Sequence, residues 1–284
     1  MSMKQRKFAS AAELFNRPAV LFLPASRERA IAKARESAAD LVILDLEDAV
    51  AEADKEAARE AAVAAVAKTW DKPVAIRVNG TGTQWHAGDV QAVTRSGADF
   101  IVLPLVSDPD EVSAISGRTG QPVLAMIETA RGVMRADAIA EQAAGLIVGT
   151  NDLKNDLRLP EAAGRQEMRF AIQQVLVAAR ARGIAAYDGV FNNLEDDEGF
   201  VAEAAESHLL GFDGKTLIHP KHIAACQRAF RPSDAEIERA RRLVAACEET
   251  SGAVSFEGEM VEAMHLASAR RLLARAGVGE SAPS

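Results

Sequence analysis

Residues 122–153 read PVLAMIETARGVMRADAIAEQAAGLIVGTNDL. Two short apolar runs, 123–127 and 146–148, each lead into a carboxylate: Glu128 after the first, Asp152 after the second. Residues 131–142 between them have helical composition. Apolar runs of this length, bounded by turn signals, fit strands buried on both faces. Strand, helix and strand with short connections make the βαβ unit of a parallel sheet. Neighbouring parallel strands bring their C-terminal ends side by side, so Glu128 and Asp152 would come within reach of one cation. Two carboxylates completed by other oxygens and water are a usual way to hold Mg²⁺. The competing reading of the same residues is two unrelated loop acids that cap helices.

The pattern repeats outward in both directions. Strand-like runs occupy 20–23, 41–44, 74–78, 100–103, 184–187 and 214–218, and helical segments fill 26–38, 54–68, 84–96, 109–117, 162–182 and 197–209. His219–Pro220 opens the last helix of the series. Such alternation predicts an all-parallel sheet. Eight units in about 230 residues predict an α/β fold of the closed (β/α)8 TIM barrel type. An open dinucleotide-binding sheet would carry GxGxxG after its first strand, and residues 24–29 there read PASRER. The expected organisation is a catalytic barrel over 1–230 and a C-terminal helical extension over 231–284. The extension reads as two helices, 233–250 and 259–276, joined by SGAVSFEGE and packing on the barrel or on a neighbouring subunit.

Composition removes several function classes. The formal net charge is −8 and no basic block exceeds a few residues, which argues against nucleic-acid binding. Cys226 and Cys247 lie in helical contexts without CxxC or zinc spacing, and read as buried thiols of a reducing compartment. The opening MSMKQRKFASAAELFNRP lacks the apolar core of a signal peptide, and no apolar stretch is long enough to span a membrane. The expectation is a soluble, cytoplasmic protein.

Barrel active sites lie at the C-terminal ends of the strands. Those ends carry Asp45, Glu47 and Asp48; Arg77 and Asn79; Glu128; Asn151 and Asp152; Asp188; and Lys215. So many acids in one cleft would repel and take up protons unless a divalent cation resolved the conflict. Arg77 then reads as a bidentate holder of a substrate carboxylate, or else as a structural salt bridge to Asp45 or Glu47. Lys215 could form a Schiff base in principle, a route that a metal site makes unnecessary. No nucleophile–base pair stands out; His219 suits a helix start, and Tyr187 and Trp85 suit packing. A cation clamped by Glu128 and Asp152 suits a 2-oxo acid or its enolate, and hence making or breaking a carbon–carbon bond beside a carbonyl.

The chain resembles the citrate lyase β-subunit family, within the metal-dependent 2-oxo-acid aldolases and acyl-CoA lyases. The matching stretches are VLFLPASRERA, LVILDLEDAVAEADKEAAR, IRVNGTGTQW, IETARGV, IVGTNDL, YDGVFNN, GFDGKTLIHPKHI and FRPSDAEIERAR, together running from about residue 17 to residue 276. The resemblance implies a barrel, Mg²⁺ held at Glu128 and Asp152, Arg77 on the oxo-acid carboxylate, and a homotrimer or hexamer. It implies cleavage of citryl, malyl or citramalyl thioesters, usually of coenzyme A, with Asp45 and Glu47 ordering water at the cation. The chain departs from the pattern at three places. Ala25 replaces a glycine, and Arg17, the cofactor-contacting candidate, stands one residue further from Pro24 than usual. LPKV becomes LPLV, with Leu105 for lysine. The C-terminal GxMID becomes GEMVE, so Glu262 takes the place of an aspartate that serves a neighbouring subunit as acid or base. That last change resembles a branch that includes malyl-CoA thioesterases. The expected activity is therefore a Mg²⁺-dependent carbon–carbon lyase on a 3-hydroxy-acyl thioester, with a thioesterase or a non-catalytic oxo-acid-binding homologue as alternatives.

Overall fold

Alternating runs become alternating elements in the structure, a computed structural model that describes residues 8, 10–248 and 254–277. The chain divides into two compact units, Met1–Ala229 and Phe230–Ser284. In the first, eight strands are β1 (Ala19–Pro24), β2 (Leu41–Asp45), β3 (Val74–Arg77), β4 (Phe100–Leu103), β5 (Val123–Ile127), β6 (Gly145–Val148), β7 (Ala185–Asp188) and β8 (Gly214–Leu217). They pair in sequence order, all parallel, and β8 closes on β1. The unit is a (β/α)8 barrel. Every residue of β2 and β5 is buried, as strands covered on both faces require.

The helices between them are α1 (Glu28–Glu36), α2 (Lys55–Val66), α3 (His86–Thr94), α4 (Pro109–Thr119), α5 (Ala130–Met134), α6 (Ala136–Gln142), α7 (Thr150–Asp156), α8 (Arg169–Ala181) and α9 (Asp197–Leu210). The unit's last helix, α10 (Ile223–Phe230), runs up to the division between the units. Local chemistry sets their starts. Asp108 accepts from the Asp110 amide at 3.2 Å to begin α4, with Pro109 as its first residue. Thr129 caps α5 through the Gly132 amide at 3.0 Å. The single helix expected over 131–142 is divided into α5 and α6 at Arg135.

Strand parity decides which side chains fill the barrel. Val20, Ile43, Ala75, Val102, Leu124 and Ile147 belong to one interior cluster. Leu14, on a 3-10 turn over Ala11–Leu14 ahead of β1, joins that cluster, and its carbonyl accepts from the Tyr187 hydroxyl at 2.6 Å. The N-terminal turn thus packs against the N-terminal end of the barrel interior.

The second unit holds α11 (Asp234–Glu248), strands β9 (Val254–Phe256) and β10 (Glu259–Val261), and α12 (Ala263–Arg275). A helix starting at 259 was expected, and a hairpin stands there instead. Its two turn residues, Glu257 and Gly258, have φ of 52° and 85°, the left-handed pair that a two-residue hairpin loop demands. Residues 249–253 of the expected first helix and loop lie outside the described residues. Ala240, Leu243, Val261, Ala269 and Leu273 form this unit's own core.

Candidate active site

Parity carries alternate side chains of β2, β3 and β5 from the interior cluster up to Asp45, Arg77 and Glu128 at the C-terminal mouth. Asp45 and Arg77 stand opposite each other in the ladder. Their ion pair is bidentate, Nε to Oδ1 at 2.6 Å and Nη2 to Oδ2 at 2.7 Å. Asp45 also accepts the Glu47 amide at 2.9 Å and the Ala49 amide at 3.1 Å. Both its oxygens are therefore doubly occupied. A carboxylate has about four acceptor positions, and those of Asp45, expected to order water at a cation, are engaged by the protein itself. Asp45 braces Arg77 and the turn after β2.

Arg77 is shared. Its Nη1 lies 2.8 Å from Glu47 Oε2 and 3.4 Å from Asp48 Oδ2, and its guanidinium carbon sits 5.1 Å from the Phe22 ring centre. Burial works against its charge, but Asp45, Glu47 and Asp48 together raise its pKa. The structural salt bridge thus exists; Nη1 is taken up by Asp48 and the Met126 sulfur, and Nη2, bonded once to Asp45, keeps a hydrogen for a substrate anion. Asn79 is not free for substrate: it bonds Asp89 through its amide at 2.9 Å and Nδ2 at 2.6 Å, and it accepts from the buried Lys55 at 2.7 Å.

Three acids remain without matching countercharge. Burial raises Glu47 to about 8 against the help of Arg77. Its buried Oε2, close as it is to Nη1, receives no properly directed hydrogen bond. Burial raises Glu128 to about 7, with the nearby Asp152 adding to the shift and the Leu105 amide opposing it. Asp152 is raised by burial and then by Asp48. Asp152 comes from α7, a short helix starting immediately after β6 that lifts it beside Glu128. Glu128, Asp152, Phe22, Met126, Val190 and Thr216 line a cavity of about 50 Å³, the volume of one or two waters. Asn151, on its rim, exchanges hydrogen bonds with Asn192 at 2.6 and 3.3 Å. Phe22 and Thr216 could have been found by counting parity along β1 and β8; Val190 follows β7 in a loop and carries no sequence signal.

The mouth fits a hard divalent cation. Among the described residues no set of three or more His, Cys, Asp or Glu side chains converges as a metal cage. Two adjacent carboxylates with raised pKa values and a neighbouring buried oxygen without a donor are the donor set expected where water and substrate complete the shell.

Two predicted residues face elsewhere. Tyr187 points into the barrel, so Asp188 points out, and Lys215 points out beside the inward Thr216. Lys215 is fully buried against Asp188 at 2.8 Å and Glu203 at 2.6 Å. Neither reaches the mouth, which corrects their place in the expected ring. Arg17 stands just ahead of β1, at the opposite end of that strand from Pro24. It is committed to Glu13, at 2.5 Å to its carbonyl and 2.8 Å to its carboxylate, and the structure does not bring it to the mouth. Glu262 lies in the second unit, exposed at the start of α12, where its amide donates to His265 Nδ1 at 3.0 Å. A larger groove of about 360 Å³ runs between α1 and α2 on the outer wall, away from these acids.

The family model described as HpcH/HpaI aldolase/citrate lyase matches residues 18–220. A (3S)-malyl-CoA thioesterase of Cereibacter sphaeroides is 40% identical over 90% of this chain and 93% of its own. The citrate lyase subunit beta of Escherichia coli K12 is 34% identical over 97% of this chain and 96% of its own. The crystal structure of CitE from Mycobacterium tuberculosis, in complex with magnesium, acetoacetate and coenzyme A, superposes with a TM-score of 0.82 at 37% identity, covering 92% of this chain and 98% of that one.

Proposed function

This chain belongs to the HpcH/HpaI aldolase/citrate lyase family, and from that premise we propose a Mg²⁺-dependent enzyme acting on a 3-hydroxy-acyl thioester of coenzyme A. The observation that carries the reading is the Glu128–Asp152 pair, a buried and a half-buried acid short of countercharge beside an arginine already oriented by Asp45. The magnesium in the tuberculosis CitE complexes supports the choice of cation. Held by Glu128 and Asp152, it would supply Lewis acidity toward the substrate's oxygens.

The remaining work falls to the chain. Arg77 holds the substrate carboxylate with the Nη2 hydrogen that Asp45 leaves open. Glu47, able to carry a proton near neutrality, orders water at the mouth. Glu262 of a neighbouring copy is the acid or base that the GEMVE stretch suggests. The leading reading is carbon–carbon cleavage. In malyl-CoA the bond between the carbinol carbon and the carbon next to the thioester breaks, and the hydroxyl proton leaves to a base. The electron pair becomes the thioester enolate, which takes a proton at carbon. Glyoxylate and acetyl-CoA result. The 40% identity to a (3S)-malyl-CoA thioesterase favours a second reading, in which water adds to the thioester carbonyl and the thiolate leaves.

The experiment is turnover of (S)-malyl-CoA with and without Mg²⁺, following free thiol and glyoxylate together. Glyoxylate without thiol supports the lyase, and thiol without glyoxylate supports the thioesterase. Mg²⁺ binding with neither product would leave the binding homologue. A cytoplasmic homotrimer or hexamer belongs to the same proposal and is checked by light scattering.

A further inference from the structure

Glu128 is gripped from two sides by backbone. On one side the Leu105 amide donates to Oε1 at 2.6 Å. On the other lies Gly149. The β5–β6 register sets Ile127 opposite Val148, so the next residues, Glu128 and Gly149, face each other across the ladder. A Cβ placed on Gly149 would stand 2.1 Å from Glu128 Oε2, 2.5 Å from its Cβ and 2.9 Å from its Cδ. The clash reaches the root of the side chain as well as its tip, so rotating the carboxylate alone does not relieve it.

Leu105 has φ of 55°, in the left-handed region that L residues seldom adopt. Its side chain is 44% exposed and does not anchor the turn. The turn is held by its amides: Leu105 on Glu128, and Val106 on the Met126 carbonyl at 3.2 Å. A non-glycine residue keeps such a conformation when its surroundings over-determine it.

We infer that Gly149 and the left-handed backbone of Leu105 are positioning residues that fix the direction of the Glu128 carboxylate, and with it the divalent-cation site shared with Asp152. The inference rests on the cation dependence proposed above. It assigns Leu105 a role through its backbone, where the family pattern has a lysine side chain.

The test is Mn²⁺ titration followed by electron paramagnetic resonance on the full chain, with circular dichroism melts as the check on folding. The wild type binds one Mn²⁺, and Gly149→Ala binds it at least tenfold more weakly. Leu105→Gly, which keeps the amide and tolerates positive φ, binds at least fivefold more tightly than Leu105→Val, whose branched side chain resists it. Wild-type affinity in Gly149→Ala, or equal affinities in the two Leu105 variants, overturns the inference while leaving the cation reading intact. If Gly149→Ala does not fold, the Leu105 pair decides alone. A wild type that binds no Mn²⁺ overturns the functional reading and this inference with it.

Discussion

Asp45 and Asp188 each end a barrel strand, each is buried, and each pairs with a cation, at 2.6 Å to Arg77 and 2.8 Å to Lys215. Their surroundings differ. Around Asp188, on the outer side of the barrel, Lys215 and Arg165 meet Asp188, Glu203 and Glu206 in a nearly balanced set. Burial works to raise the pKa of Asp188, but those two cations and the Ser207 hydroxyl bring it below its usual value. Around Asp45, in the mouth, one arginine serves Asp45, Glu47 and Asp48, and among the described residues no cation pairs directly with Glu128 or Asp152. Two of those acids rise to about 8 and about 7. Buried charge alone therefore does not mark the site. A deficit of countercharge does, because it leaves groups that only a ligand can satisfy.

The contrast can be broken most directly at Glu128. Glu128→Gln removes a cation carboxylate and should lower Mg²⁺-dependent turnover on the order of a thousandfold, several kcal/mol of lost charge stabilisation. Steady-state kinetics on (S)-malyl-CoA measure it. The matching change in the outer cluster is Lys215→Met. It leaves Asp188 and Glu203 short of a partner and should destabilise the fold by about 3 kcal/mol, with Mg²⁺ affinity unchanged. Urea unfolding and calorimetric titration separate the two effects.

The pH dependence sharpens the comparison. Folding raises Glu128 from 4.5 to about 7, so without a cation the folded chain holds a proton that the unfolded chain has lost. That stabilisation is complete below about pH 4.5 and is lost as pH rises through about 7. Glu128→Gln has no such loss. Its stability relative to wild type should climb between pH 5 and pH 8, by on the order of 3 kcal/mol, in melts run with EDTA. Mg²⁺ should reverse the gap. The smallest effect belongs to Asp45→Asn. Arg77 loses its charged brace but not its position in β3, and KM should rise about tenfold with a smaller change in kcat.

The barrel was legible because its strands are short apolar runs between turn signals, and β5 occupies the predicted 123–127. What the sequence hid follows from geometry. Reading only strand ends placed Asp188 and Lys215 in the mouth, whereas a period of two turns them outward. Helix α7 escaped notice because TNDLKND has one apolar residue, Leu153, and so no stripe, yet it is the element that brings Asp152 to Glu128. The hairpin at 254–261 was hidden behind a helical composition downstream, although Glu257–Gly258 between alternating residues was a turn signal. The saturation of Asp45 depends on backbone amides that no residue type announces.

The most direct test of the central claim is release of thiol and glyoxylate from (S)-malyl-CoA by wild type and Glu128→Gln, each with Mg²⁺ and with EDTA. The account predicts product from wild type with Mg²⁺ alone, and essentially none in the other three assays. Turnover that persists in EDTA, or a Glu128→Gln protein as active as wild type, would contradict it.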